Sequence, residues 1–271
     1  MYILSIYMDN EEKIIRSVKL FGNGAHIFVP KNWEGEKVIL IKPAKKSLRE
    51  KILSVIGPYL ENIMGVYLYG SYSRNEQRED SDIDLFIISN KKIKIKEKGF
   101  EILCMEEQNI KKSIELEPLL MYSIISESKP LINMKLLNEL KEKYHSHIDN
   151  FNEFLKSTKN IIKVNQEFLA LEKNENVFGE AVIYSLILRL RGIYIIDSLL
   201  NKKPYSNKDF KIWVKKQLPS IDFDSIYQNY ISSKNNNKLK FKIKVNDLIL
   251  LADFLDNQIF ILENGQKRKK T

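Results

Sequence analysis

Gly70-Ser71-Tyr72-Ser73-Arg74-Asn75-Glu76-Gln77-Arg78-Glu79-Asp80-Ser81-Asp82-Ile83-Asp84-Leu85 is the stretch on which the reading of this chain turns. Before it, Val66-Tyr67-Leu68-Tyr69 is an apolar run of strand length, and Ile83 to Ile88 is a second one. Asp82 and Asp84 stand two apart at the entry to that second strand. A period of two puts both carboxylates on one face and turns Ile83 to the other. Two like charges so close raise each other's pKa, which a cation between them relieves. Hard carboxylate oxygens suit Mg²⁺ or Mn²⁺. Gly70 allows close backbone approach to a ligand, and the Ser71 hydroxyl with the N–H groups after it can hold phosphate oxygens. Either half alone reads as an ordinary turn or a solvated strand entry. Together, at this spacing, they describe a site for a nucleoside triphosphate with a divalent metal.

The surroundings of that stretch suggest an α+β fold: a small mixed sheet with a β module before it and a helical bundle after it. Residues 1–44 are expected to form a small β module, in which 11–43 read as short strands broken at Gly22-Asn23-Gly24 and at Pro30 to Gly35, with a final apolar run at Val38 to Ile41. So small a unit cannot bury a core of its own, so it should dock or dimerise. From Ser47 the apolar period is helical (Leu48, Ile52, Val55, Ile56, Leu60), with a kink expected at Pro58. Strands are expected at 66–69, 83–88, 100–105 and 114–122, completing a unit at 45–125. Beyond Ser126 the strand signals largely stop. Helical periods recur through 131–144, 151–171, 177–200, 208–218 and 244–262, a bundle at 126–264 for acceptor or partner binding. Ser206-Asn207-Lys208-Asp209 reads as a helix cap. Residues 265–271 form a basic tail.

Composition narrows the class. The 271 residues carry 44 Lys+Arg against 35 Asp+Glu, a formal +9. Only seven of the cations are arginine and 37 are lysine, a mobile point charge, so the excess alone does not argue for nucleic acid. No apolar run reaches the ~20 residues of a membrane span, since Ala181 to Leu200 contains Arg189, Arg191 and Asp197. The single Cys104 excludes an internal disulfide. A cytoplasmic location is expected, with no membrane partner.

The arrangement of Gly70-Ser71 followed, after residues 72–81, by Asp82-Ile83-Asp84 resembles the core of the DNA polymerase β-like nucleotidyltransferase superfamily. Ser81-Asp82-Ile83-Asp84-Leu85 is similar to its minimal nucleotidyltransferase branch, which also includes antibiotic nucleotidyltransferases. The resemblance covers about residues 47–122. It implies two Mg²⁺ (or Mn²⁺) ions at Asp82 and Asp84, an NTP co-substrate with ATP first in line, and triphosphate contacts from Gly70, Ser71, Ser81 and the nearby Arg74. It further implies a third carboxylate on a later strand, for which Glu115 is the first candidate and Glu117, on the same face of an expected strand, the alternative. The implied reaction is transfer of a nucleoside monophosphate to an acceptor hydroxyl, with release of pyrophosphate. A protein, a tRNA end and a small molecule all remain open as acceptor, the first two as in toxin–antitoxin pairs.

Val18 to Trp33, with Phe21-Gly22-Asn23-Gly24-Ala25-His26 and Pro30-Lys31, resembles archaeal members of the AbrB-like swapped-hairpin family. That implies dimerisation, with DNA a candidate partner. The competing function is a non-catalytic, DNA-binding or antitoxin-like regulator that merely holds nucleotide. Arg189 and Arg191, in an otherwise apolar helix, either pair within the bundle or face the cleft to bind an anion. Lys92, Lys94 and Lys96 either rim the site or guard a sheet edge. Tyr205 and Trp213 are expected in the core.

Overall fold

The computed structural model describes residues 14, 16–40, 46–79 and 81–267. It divides the chain into two compact units, Met1–Leu48 and Arg49–Thr271. In the first, β1 (Lys19–Phe21) and β2 (Gly24–His26) form an antiparallel hairpin around Gly22-Asn23, as the turn signal predicts. His26 stacks edge-on against Phe21 and Phe28 at 5.2 and 4.8 Å. Among the described residues before 41 none is buried. Val38 to Leu40 forms no strand, and Ile41, Pro43 and the tail beyond 267 lie outside the described residues.

The second unit opens with α1 (Leu48–Ile56), which gives way at Gly57-Pro58 to a 3₁₀ stretch ending at Asn62. Pro58 therefore ends the helix rather than kinking it. β3 (Ile63–Tyr69), the short helix α2 (Gly70–Arg74), β4 (Ile83–Ser89) and β5 (Phe100–Glu106) follow. β6 (Lys129–Ile132) completes a four-stranded sheet in the order β5-β4-β3-β6. β4 and β5 are parallel; the other pairs are antiparallel. β4 is buried on both faces, which is why it reads as an unbroken apolar run rather than an alternating one.

Two expectations are corrected here. The strand expected at 114–122 is helical: α3 (Ile110–Leu116) and α4 (Pro118–Glu127) meet at Glu117, with Pro118 opening the second helix. Strands also do not stop at Ser126, since β6 lies beyond it. Its Lys129-Pro130-Leu131-Ile132 is four residues of an edge with one neighbour, too short and too polar to signal itself.

The rest is helical. α5 (Met134–Lys143), α6 (Asn152–Leu171), α7 (Glu180–Leu200), α8 (Asn207–Gln217), α9 (Phe223–Lys234) and α10 (Val245–Lys267) are joined by loops that include a small ladder of β7 (Asn176–Val177) and β8 (Ile243–Lys244). Ser206 caps α8 as expected, its hydroxyl oxygen accepting the Asp209 N–H at 2.9 Å. One apolar core runs from Tyr67 and Phe86 of the sheet through Leu186, Leu190 and Ile193 of α7 to Leu251 and Leu255 of α10. Sheet and helices are thus a single packed body, in which α7 is the central helix. Among the described residues no helix is long and apolar enough to cross a membrane.

Candidate active site

β3 ends at Tyr69, and the chain turns through Gly70 at φ 67°, a left-handed conformation that side chains rarely adopt. A Cβ at Gly70 would stand 1.8 Å from Oδ2 of Asp84. The glycine therefore serves the neighbouring carboxylate: the backbone passes so close that Ser71 N–H donates to Asp84. The Gly70 N–H donates to Oε1 of Glu127 at 3.1 Å. Both amides are engaged within the protein, and Ser71 lines the cavity described below.

The sheet register sets the carboxylates side by side. Asp84 is opposite Tyr69 on β3 and opposite Glu101 on β5. Burial, with Glu101 adding to it, pushes the Asp84 carboxyl up to about 6, against the lowering effect of the Ser71 amide and Arg74. Burial also raises the Tyr69 phenol, with Glu101 and Asp84 adding to it, so Tyr69 stays neutral.

Asp82, Asp84 and Glu101 open into a cavity of about 560 Å³, which Ser71, Arg74, Glu76, Arg78 and Ser81 also line. Its far wall comes from the helices: Arg191 of α7, Asn207, Lys208 and Lys211 of α8, and Tyr227, Ile231 and Lys234 of α9, with Asn235 beyond it. A volume of this size suits a small-molecule ligand. Ser81 also lines the cavity, its Oγ accepting the Arg78 N–H at 2.8 Å.

Glu115 and Glu117 do not line this cavity. Glu115 lies exposed on α3 with Lys111 one turn away at 3.9 Å, and Glu117 caps the junction of α3 and α4. The carboxylate beside Asp84 is Glu101. The sequence reading did place a strand at 100–105; a parallel neighbour to β4 brings an acid at its start to the same end as Asp84.

Arg74 is held on three sides. Its Nε donates to Glu76 at 3.0 Å, its guanidinium also pairs with Glu127, and it lies 5.2 Å over the Tyr205 ring. Burial works against its charge, but Glu127 and Glu76 outweigh that and hold the guanidinium ionised. Glu76 also accepts from Asn207 Nδ2 at 2.9 Å and the Lys208 N–H at 3.3 Å, fastening the turn after α2 to the start of α8. Glu76, Glu127 and Glu101 were not singled out from sequence. Glu127 meets Gly70 and Arg74 across 57 and 53 residues, and Glu76, beside Arg74 in sequence, reaches Asn207 and Lys208 across 131 and 132, so neither role shows in a local pattern.

The arginine pair of α7 separates. Arg189 donates to Ser157 Oγ at 2.9 Å and lies over Phe154, within the bundle. Arg191 faces the cavity, donating to the hydroxyls of Tyr205 at 3.1 Å and Tyr230 at 2.7 Å. Tyr205, expected in the core, stands between Arg74 and Arg191. Lys94, Lys96 and Lys98 line a second, open hollow with Phe100 and Glu101, and Glu101 also lines the main cavity.

As for metal, the donors Asp82, Asp84 and Glu101 are all hard oxygens. Among the described residues no three His, Cys, Asp or Glu converge closely enough to cage an ion unaided. The oxygen donors of Asp82 and Asp84 are of the type that Mg²⁺ takes, since it commonly binds one or two carboxylates together with substrate phosphates and water.

Residues 50–136 match the family model described as polymerase beta, nucleotidyltransferase. No curated protein matches the sequence. Among solved structures, the chain is similar to a spectinomycin adenyltransferase from Enterococcus faecialis, solved with ATP and spectinomycin, at 14% identity and a TM-score of 0.41. That likeness covers 77% of this chain and 96% of the other. The segment that matches the nucleotidyltransferase model takes in all four strands of the main sheet and the carboxylates Asp82, Asp84 and Glu101 at its open end.

Proposed function

We propose that the chain transfers a nucleoside monophosphate from an NTP, with ATP the first candidate, to an acceptor hydroxyl. The acceptor oxygen forms a bond to the α-phosphorus, the bond from that phosphorus to the β-bridging oxygen breaks, and pyrophosphate leaves. The observation that carries the reading is the row of Asp84 and Glu101 on adjacent parallel strands, opening with Asp82 into a cavity whose other wall is basic. Asp82 and Asp84 would hold divalent metal together with the NTP phosphates. When bound, such ions neutralise the triphosphate and lower the cost of deprotonating the acceptor. The Ser71 hydroxyl binds a phosphate oxygen, and Arg74 positions the turn. Glu101 takes the acceptor proton, a role for which its place beside Asp84 suits it.

The test is incubation of the full chain with each α-³²P-labelled NTP and Mg²⁺ or Mn²⁺, in the presence of a cell extract. Label should appear on an acceptor and vanish in the Asp82→Ala/Asp84→Ala variant. If that variant loses nothing, or the wild-type chain fails to bind NTP, the reading is wrong. The regulator reading then gains, and it predicts that DNA binding tracks the 16–33 hairpin instead.

A further inference from the structure

The cavity is electrically lopsided. Its carboxylates gather at the strand ends and at Glu76, whereas the helical wall offers Arg191, Lys208, Lys211 and Lys234 and no acid at all. Two lysines outside the cavity do have close carboxylates, Lys215 with Asp224 at 2.6 Å and Lys159 with Glu263 at 2.8 Å. Among the described residues none of the four wall cations has a carboxylate within ion-pair distance. Lys211 instead lies over the Tyr227 ring at 5.4 Å. Arg191 is partly buried in mid-helix, and its only described partners are two tyrosine hydroxyls, which bring no countercharge. A guanidinium has five N–H donors in a planar fork suited to phosphate. Like charges converging on a cavity, one of them partly desolvated, raise the free energy of the empty site, and an anion seated there lowers it.

Resting on the nucleotidyltransferase reading, we infer that this wall is an acceptor subsite for phosphate: the hydroxyl compound that receives the nucleotide carries phosphate of its own. The α-phosphorus would react beside Asp82, Asp84 and Glu101, where Asp82 and Asp84 would hold divalent metal to offset the carboxylates' charge. The wall is built from α7, α8 and α9 and supplies positive charge beyond that. An amine-bearing acceptor entering here would meet four cations, whereas a phosphate ester is drawn in and turned so that its hydroxyl points to the strand ends. The step balances as already given: the acceptor oxygen gains the bond to phosphorus, its proton passes to Glu101, and pyrophosphate carries away the electron pair of the broken bond. Two sources present this chemistry, a small phosphorylated hydroxyl compound and the 3′ end of an RNA.

The experiment uses the full chain, α-³²P-labelled ATP and Mg²⁺, with a cell extract divided into four arms: untreated, and pretreated with phosphatase, ribonuclease or protease. The inference expects label that phosphatase abolishes (a small phosphate ester) or that ribonuclease abolishes (RNA). Label that survives both, or that only protease removes, overturns it. In parallel, ATP affinity and transfer are measured in the Lys211→Gln/Lys234→Gln variant. Acceptor KM should rise about tenfold or more with ATP affinity unchanged. An equal loss of ATP affinity would mean that the wall serves the triphosphate, and the inference fails. Because ATP binding is measured without acceptor, a wild-type chain that binds no ATP points to failure of the underlying reading rather than of the subsite.

Discussion

Gly70 and Asp84 are fitted to each other: the space a Cβ at Gly70 would need is occupied by the Asp84 carboxylate, 1.8 Å from the ideal position. The left-handed φ of 67° is the local condition for that approach, and the Ser71 amide bond to Asp84 is its product. Gly70→Ala pays twice, about 1–2 kcal/mol for the backbone conformation and more for displacing Asp84. The thermal midpoint should fall by several degrees and NTP binding in Mg²⁺ should weaken by at least about tenfold. In an Asp84→Gly background the clash is gone, so the same substitution should cost only the backbone part. Equal costs in the two backgrounds, measured by denaturant unfolding, would show that the two residues are not coupled.

The pH dependence follows from the same carboxyl. Its pKa in the folded chain, about 6, is raised above the ordinary 3.8, chiefly by burial and then by Glu101. A raised acid pKa means that the folded state binds the extra proton. The stabilisation is therefore full below about 4 and is lost as pH rises through about 6. Asp84→Asn removes the charged form, so it should melt higher than wild type at pH 8 and converge with it near pH 4, while losing transfer altogether. Cation-dependent NTP binding should strengthen as pH rises through about 6, because the proton and the metal compete for one oxygen. Glu101→Gln should move that inflection downward. A wild-type binding curve flat from pH 5 to 8 would remove Asp84 from the metal site.

What was legible in the sequence, and what was not, divides along range of interaction. Asp82, Asp84, Gly70 and Ser71 come together within sixteen residues, and local period and turn chemistry suffice to align them. The third carboxylate depends on which strand lies next to β4. Ile114-Glu115-Leu116-Glu117 alternates perfectly, yet Ile110 and Ile114 are the buried pair, at helical spacing, and Pro118 starts a new helix. The alternation was accidental, because two turns of amphipathic helix can imitate it. Phe100-Glu101-Ile102 holds the carboxylate proposed for that role, in a strand that was expected, but its parallel register with β4 is a tertiary fact. The corrected assignment separates cleanly by mutation. Glu101→Gln should reduce kcat by about 10²-fold or more, in the range of a lost general base. Glu115→Gln, exposed on α3, should stay within about twofold. The reverse ranking would restore Glu115.

Glu127 was also hidden, and it has a stability role that can be measured apart from chemistry. It takes the Gly70 amide with one oxygen and Arg74 with the other, while its main-chain carbonyl accepts from Ser73 Oγ at 2.6 Å. Glu127→Ala leaves Arg74 with Glu76 alone and the Gly70 amide without its acceptor. The cost should be about 2–3 kcal/mol, below the 3–5 of a fully buried pair because both side chains keep some solvent contact. Arg74→Ala removes the other half, so the double variant should cost clearly less than the sum of the singles. Additivity would mean that the pair contributes nothing as a pair.

The last expectation concerns the hairpin unit. Leu20, Phe21, Phe28, Ile39 and Leu40 are all exposed, with Leu20 at 90% and Ile39 at 89%, and no described residue before 41 is buried. A unit as small as Met1–Leu48 has little room for a core of its own, so these exposed apolar side chains need a surface to cover them. The second unit, by contrast, has its core and its site complete within residues 49–267. A chain beginning at Ser47 should therefore keep its NTP affinity within about twofold and lose only a few degrees of thermal stability. If the hairpin covers itself with a second copy, the full chain should sediment as a dimer and the shortened one as a monomer. Leu20→Asp/Ile39→Asp should give the same dissociation without touching the cavity. Loss of NTP binding on shortening would place the first unit in the site, against the division of labour argued for it.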